Sequence, residues 1–329
     1  MHRRTVVATL LASPAVARGA RAQGAATMRL AHQYPPAHHI AQALQRFADA
    51  VAARNAGITV QVFPAEQLAK VAENFPGVAR GAFESAVATN FTWGNTIPEM
   101  SAPTIPFLFT ELARIRKFPG SEAAKFLEAQ AERRGVKTIA WLFTTRMSIF
   151  TSSRKPLVAL DDFRGVKIRG INPLIDSGLA AAGAAPAATP APEVAQALAS
   201  GVLDAGLTDV SAAVSRRFYE VQKFGTVTPF FGVFTQVYVN PRWWAALPAG
   251  ARDALTQAAS AAEADAITAT EATASAAVGE LRARGMTIHE QTPPETEAWK
   301  AVMQKPVVDA FLRVAPEGGQ RALDLLAQL

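Results

Sequence analysis

Beyond residue 28 the apolar positions of the chain follow two periods that take turns. MRLAHQY (28–34) and ITVQVF (58–63) alternate as strands do, and between them IAQALQRFADAVAAR (40–54) sets Leu44, Phe47, Ala48 and Val51 on one helical stripe. The segment through Gly81 has helical spacing, with Pro76 expected to mark a turn or break, and FESAVATN (83–90) returns to strand. Strand, helix, strand is the order of a parallel α/β sheet. The pattern then repeats. KTIAWLF (137–143), MSIFTS (147–152) and GVKIRG (165–170) read as strands, LIDSGLAAAG (174–183) and 192–200 as helices, VLDAGLT (202–208) and QVYVN (236–240) as strands. Two α/β sheets with the chain crossing between them more than once fit this better than one large sheet. The cleft between two such lobes, beyond the carboxyl ends of the strands, is then the expected site.

From Arg252 to Arg284 there is no proline and a single glycine, Gly279. That spacing predicts one helix of roughly 50 Å at 1.5 Å per residue, long enough to run across both lobes. Two helices with a bend near Asp265 or Thr268 are the alternative.

Composition narrows the class. The chain has 329 residues, half of them hydrophobic and 18% charged, enough for two lobes each with its own core. Residues 1–22 read as an export signal: Arg3 and Arg4, an apolar run from Thr5 to Ala17, then Ala20-Arg21-Ala22 as a small-x-small cleavage site. This segment carries four arginines and no acid, so its removal lowers the formal charge from +6 to +2. The remaining cations are scattered, and the pairs Arg133-Arg134 and Arg216-Arg217 read as solvated helix surface. Neither a nucleic acid nor an anionic membrane is an expected partner. Cysteine is absent, which excludes disulfides and thiol chemistry. Past the signal no apolar run reaches the roughly 18 to 20 residues that span a bilayer.

Catalytic signatures are missing. The chain has no GxSxG elbow, phosphate loop, GxGxxG fingerprint, HExxH or EF-hand loop. His32, His38 and His39 cluster without the i, i+4 spacing of a metal site, and His289 lies in a polar stretch, so no metal and no cofactor is expected. Arginine stands out instead. Arg146 interrupts the apolar run TIAWLFTTRMSIF, where an unanswered cation is costly, and a carboxylate from the protein or from a ligand would have to meet it. Arg169, in GVKIRG, poses the same problem about twenty residues later. Its planar fork of donors suits a carboxylate in a way that lysine does not.

Seven blocks in order, MRLAHQYPPAHH with ALQRFADAV, ITVQVFPAEQLAK, PEMSAPTIPFLF, LDDFRGVKIRG, APEVAQALASGVLDAG, RRFYEVQKF and WWAALPAGARDAL, resemble the periplasmic solute-binding proteins of tripartite ATP-independent periplasmic (TRAP) transporters, the DctP-like group. The resemblance covers nearly the whole mature chain. It implies a two-lobe periplasmic binding protein fold of α/β class, with crossing strands and a long interlobe helix. Lobe I would comprise 23–143 plus 232–268, and lobe II 144–231 plus 269–329. It also implies a non-enzymatic periplasmic subunit that binds a small organic acid by an arginine clamp and delivers it to TRAP membrane subunits. Carried over residue by residue, the clamp is Arg169, a second family arginine matches Arg146, and Asn172, His32, Asn90 and Trp93 fall at cleft positions. Thr208 stands where many members have an asparagine, and Ala191 where an aromatic is common, which weakens an expectation of sugar-acid or sialic-acid specificity. The same scaffold would serve as the sensing subunit of a signalling system. An organic-acid lyase using His32 as base is the further alternative, and it lacks a second titrating partner near His32.

Overall fold

The computed structural model describes residues 26–329, so the export signal expected at 1–22 lies outside the described residues. In chain order the strands are β1 (Ala26–Ala31), β2 (Ile58–Phe63), β3 (Ser85–Thr89), β4 (Lys137–Thr145), β5 (Ser148–Ser152), β6 (Lys167–Gly170), β7 (Ala185–Ala188), β8 (Ala205–Asp209), β9 (Phe224–Thr228), β10 (Val233–Val239) and β11 (Thr287–Glu290). The helices are α1 (His39–Ala52), α2 (Val71–Arg80), α3 (Leu112–Lys117), α4 (Glu122–Arg133), α5 (Pro173–Ala181), α6 (Val194–Ala199), α7 (Val210–Ser215), α8 (Pro241–Ala246), α9 (Ala249–Ala283), α10 (Pro293–Val314) and α11 (Gly319–Ala327).

The strands form two sheets, ordered β2-β1-β3-β10-β4 and β11-β9-β5-β8-β6-β7. In the first, β1 pairs in parallel with β2 and β3, as the strand-helix-strand pattern predicts, and β10 runs antiparallel between β3 and β4. In the second, β6 is parallel to β7 and β8, while β5 is antiparallel to β8 and β9. The chain passes from the first sheet to the second between β4 and β5, and back between β9 and β10. Each lobe therefore borrows strands from distant parts of the sequence.

The long helix is a single element, α9, of 35 residues, about 52 Å at 1.5 Å per residue. Its first half buries Ala251, Leu255, Ala258 and Ala259 with Leu30 and Leu44 beside the first sheet. Its second half buries Ala274, Ala277 and Leu281 with Ile149 and Val227 of the second. Alanine at these positions lets the rod lie close to both.

Two expectations change. Pro76 does not break the segment before Gly81 but sits inside α2, where the ring forgoes one backbone bond, to the Ala72 carbonyl, in a short and partly exposed helix. Strands β7, β9 and β11 escape the periodicity reading. APAA carries a proline and no large apolar residue, FGTVT a glycine, and TIHE is mostly polar.

Candidate functional site

The carboxyl ends of β6, β7 and β8 converge on Arg169. Along β6, Lys167 and Arg169 share a face, as alternation predicts, yet Lys167 is exposed and Arg169 only 4% exposed, because the end of the strand lies under the other lobe. Arg169 Nη1 donates to the Leu207 carbonyl on β8 at 2.7 Å and Nε to the Thr189 carbonyl beyond β7 at 3.2 Å. Among the described residues no carboxylate pairs with it. Burial, then the charge of Arg216, pull its pKa down to about 10, while Asp209 and Asp176 oppose the shift from a distance. Nη2 and the second Nη1 hydrogen are left for something else.

The turn after β6 is built to hold this end in place. Asp176 accepts from the Ile171 backbone N–H at 2.8 Å, and a Cβ on residue 170 would collide with that carboxylate, so Gly170 is required by close approach. Asn172 caps α5, its Oδ1 accepting from Leu174 and Ile175, and its Nδ2 donates to the Phe91 carbonyl at 3.0 Å. That last bond ties the second sheet's side of the cleft to the first.

Two cavities lie side by side at Arg169, sharing Gln33, Phe91, Arg169, Ile171 and Ala191 in their linings. The inner one, about 40 Å³, is lined by Arg169, Thr208, Asp209, Arg216, His38 and Thr144, among others. Asp209 caps α7, accepting from the Ala212 N–H at 2.7 Å and from the Ser211 hydroxyl at 2.6 Å. Burial opposes its charge, but His38, 3.7 Å away, with His39 and the Ser211 hydroxyl, outweighs burial and holds the carboxyl far below its usual range. Arg216 follows the other end of the same helix. Burial lowers its pKa, and its Nε is buried with no partner among the described residues. The expectation that Arg216-Arg217 is solvated surface is therefore corrected. Arg217 adopts a left-handed backbone and is exposed, while Arg216 turns inward onto the chamber. The outer chamber, about 440 Å³, also contains Arg169 and is walled by α2, residues 91–96 and the segment after β7.

Of the residues singled out in the sequence, Arg169 and Thr208 line the inner chamber, and Arg169, Asn172 and Trp93 the outer. Arg146 does neither. It lies in the bend between β4 and β5, and Glu271 of α9 answers its charge through three hydrogen bonds of 2.8 to 3.1 Å. His32 is buried behind the lining, its Nδ1 accepting from the Tyr34 N–H, with burial and then His38 lowering its pKa to about 4. Asn90 is likewise absent from both linings, and its Oδ1 accepts from Phe234 of β10. Sequence reasoning missed His38, Asp209 and Arg216. Asp209 had a signal, since an aspartate between a strand and a helix start is a favoured cap.

The family model of bacterial extracellular solute-binding protein, family 7 (DctP), matches residues 30–313. The C4-dicarboxylate-binding periplasmic protein DctP of Rhodobacter capsulatus is 28% identical over 252 residues, covering 76% of this chain and 75% of that protein. A TRAP periplasmic solute binding protein from Desulfovibrio salexigens, solved with bound orotic acid, superposes with a TM-score of 0.87 at 25% identity, covering 92% of this chain and 97% of the other. DctP7 of Bordetella pertussis, an extracytoplasmic solute receptor binding pyroglutamic acid, gives 0.83 at 26% identity, covering 92% and 100%.

Proposed function

The chain belongs to bacterial extracellular solute-binding protein family 7, that of the TRAP solute-binding proteins, and we propose that it holds a small organic acid by its carboxylate on Arg169 and hands it to TRAP membrane subunits. One observation carries this reading: a buried guanidinium whose protein acceptors are two neutral carbonyls. A cation so placed lacks the counter-charge that desolvation demands, and a guest carboxylate supplies it. Arg216 adds a second positive group to the inner chamber, offset by Asp209.

The lobes move about the two strand crossings and α9, lobe I taking 23–143 plus 232–268 and lobe II 144–231 plus 269–329. Closure excludes water from the Arg169 contact and presents one closed state to the membrane partner. Thr208 and His38 complete the polar wall around the carboxylate. Asn172 and Asn90 hold the walls, through the Phe91 carbonyl and the Phe234 N–H. The protein works outside the cytoplasmic membrane, and among the described residues no helix is long and apolar enough to cross one. The acid is released chemically unchanged.

A thermal-shift screen against organic acids, followed by calorimetric titration of the hit into wild type and Arg169→Ala, tests this. Binding that depends on Arg169 supports the reading. Undiminished binding to the variant removes it.

A further inference from the structure

The volumes of the two chambers, resting on the carboxylate reading above, describe the rest of the ligand. At about 40 Å³ the inner chamber has room for a few waters or one carboxylate, given that a single water needs roughly 10 to 15 Å³ on the same measure. Whatever that carboxylate is attached to must lie in the outer chamber, whose 440 Å³ is the size of an ordinary ligand pocket.

The outer chamber's wall is aromatic. Phe75 meets Trp93 edge-on at 4.9 Å between ring centres, and Trp93 meets Tyr238 at 5.1 Å. Val71, Pro76, Ile171 and Pro190 continue the apolar surface. Among the described residues Arg169 is the only charged side chain on this lining, so a second carboxylate placed here would find no cation of its own. Two buried polar groups on the same wall, Trp93 Nε1 and Tyr238 Oη, have no hydrogen-bond partner among the described residues.

We propose that this protein selects monocarboxylates carrying an apolar ring. The carboxylate sits on Arg169 at the mouth of the inner chamber, and the ring lies on the side of the outer chamber formed by Phe75, Phe91 and Trp93, with Tyr238 packed behind them. C4-dicarboxylates are disfavoured for the stranded second charge, and sugar acids because they lack the apolar ring that the aromatic side of the chamber would cover.

The test titrates benzoate, 4-hydroxybenzoate, cyclohexanecarboxylate, succinate and glucuronate into the full-length protein, Arg169→Ala and Ala188→Trp. Ala188 is an exposed residue of the edge strand β7 whose side chain borders only the outer chamber, so a large ring there fills the space from the rim. The expected result is that at least one ring acid binds about tenfold or more tighter than succinate and glucuronate, from the apolar area its ring buries. Ala188→Trp should lower that affinity about tenfold by occupying the same space. Separately, the bound ring should quench tryptophan emission in wild type, and Trp93→Phe should remove most of the change.

Succinate or glucuronate binding as tightly as every ring acid, or a ring acid indifferent to Ala188→Trp and silent in Trp93 emission, overturns the proposal. If those outcomes come with binding still lost in Arg169→Ala, only the ring chamber fails. If the acids bind Arg169→Ala as they bind wild type, the carboxylate reading fails as well.

Discussion

Arg146, in the bend between β4 and β5, lies against Glu271 of the long helix with three hydrogen bonds, whereas Arg169, at the end of β6, rests on two carbonyl oxygens and faces a cavity. Arg146 interrupts an apolar run and Arg169 ends a short strand that alternates apolar and charged residues, and both look like cations in need of a partner. At Arg146 the partner is built in, and it joins a crossover between the sheets to the helix that spans them. At Arg169 the protein supplies hydrogen-bond acceptors without charge, which orient the fork and leave its charge unanswered. An arginine answered by a carboxylate of the protein and one left without a counter-charge are separated by what lies opposite, and no local sequence window contains that information.

The largest effect expected from breaking this contrast is on affinity. Arg169→Ala should weaken acid binding by roughly two to four decades, since removing one partner of a desolvated charge pair costs about 3 to 5 kcal/mol. The same variant should unfold no more easily than wild type without ligand, because it also removes a buried cation. Calorimetry and denaturant titration check the two halves separately.

Glu263, also on α9, is the acidic mirror of Arg169. Its carboxylate accepts from the Trp141 N–H at 2.7 Å but meets no cation, and burial, with Glu128 nearby, pushes its pKa up to about 7. The folded state therefore holds a proton that the unfolded chain releases from about pH 4.5 upward. Stability should fall as pH rises from about 4.5 through 7, by on the order of 1 to 3 kcal/mol, and Glu263→Gln should flatten that slope in urea titrations across the window.

Arg146→Ala should act in the opposite sense to Arg169→Ala. The side chains of the pair are about a quarter exposed, so the expected loss of stability is about 1 to 2 kcal/mol, between the values for surface and buried pairs. Affinity for the acid should stay within about threefold of wild type. A loss of several decades in Arg146→Ala would erase the distinction between the two arginines.

An effect of the same order as that of Glu263, but of opposite sign with pH, concerns the histidines behind the inner chamber. Burial, followed by the neighbouring His38, lowers His32 and His39 to about 4. The unfolded chain then binds more protons between pH 4 and 6.5, so these groups make stability rise with pH across that interval. The melting temperature of His39→Gln should show a shallower acid limb than that of wild type.

Much of the architecture was legible because α/β periodicity is local. Strand β2 falls where alternation puts it, and the alanine-rich run without proline is one helix. What escaped depends on long-range contacts or on a shift of one residue. The family resemblance implies a cleft position for His32 at the end of a strand over 28–34, but β1 ends at Ala31 and the chain then turns, so that Gln33, Tyr34 and His38 line the inner chamber and His32 lies behind it. Arg216 hid in a charged doublet because nothing local says that six-residue α7 ends with one arginine inward and the next outward. Arg169 could be found because its block resembles a family pattern and because an arginine on a short, glycine-bounded strand raises the question of its partner.

The most direct measurement of the central claim is a crystal structure of the protein with its acid bound. A carboxylate oxygen is expected within about 3 Å of Arg169 Nη2, with the Leu207 and Thr189 carbonyl contacts kept. A structure in which the Arg169 guanidinium turns onto Asp176 or Asp209 while the acid binds elsewhere would contradict it.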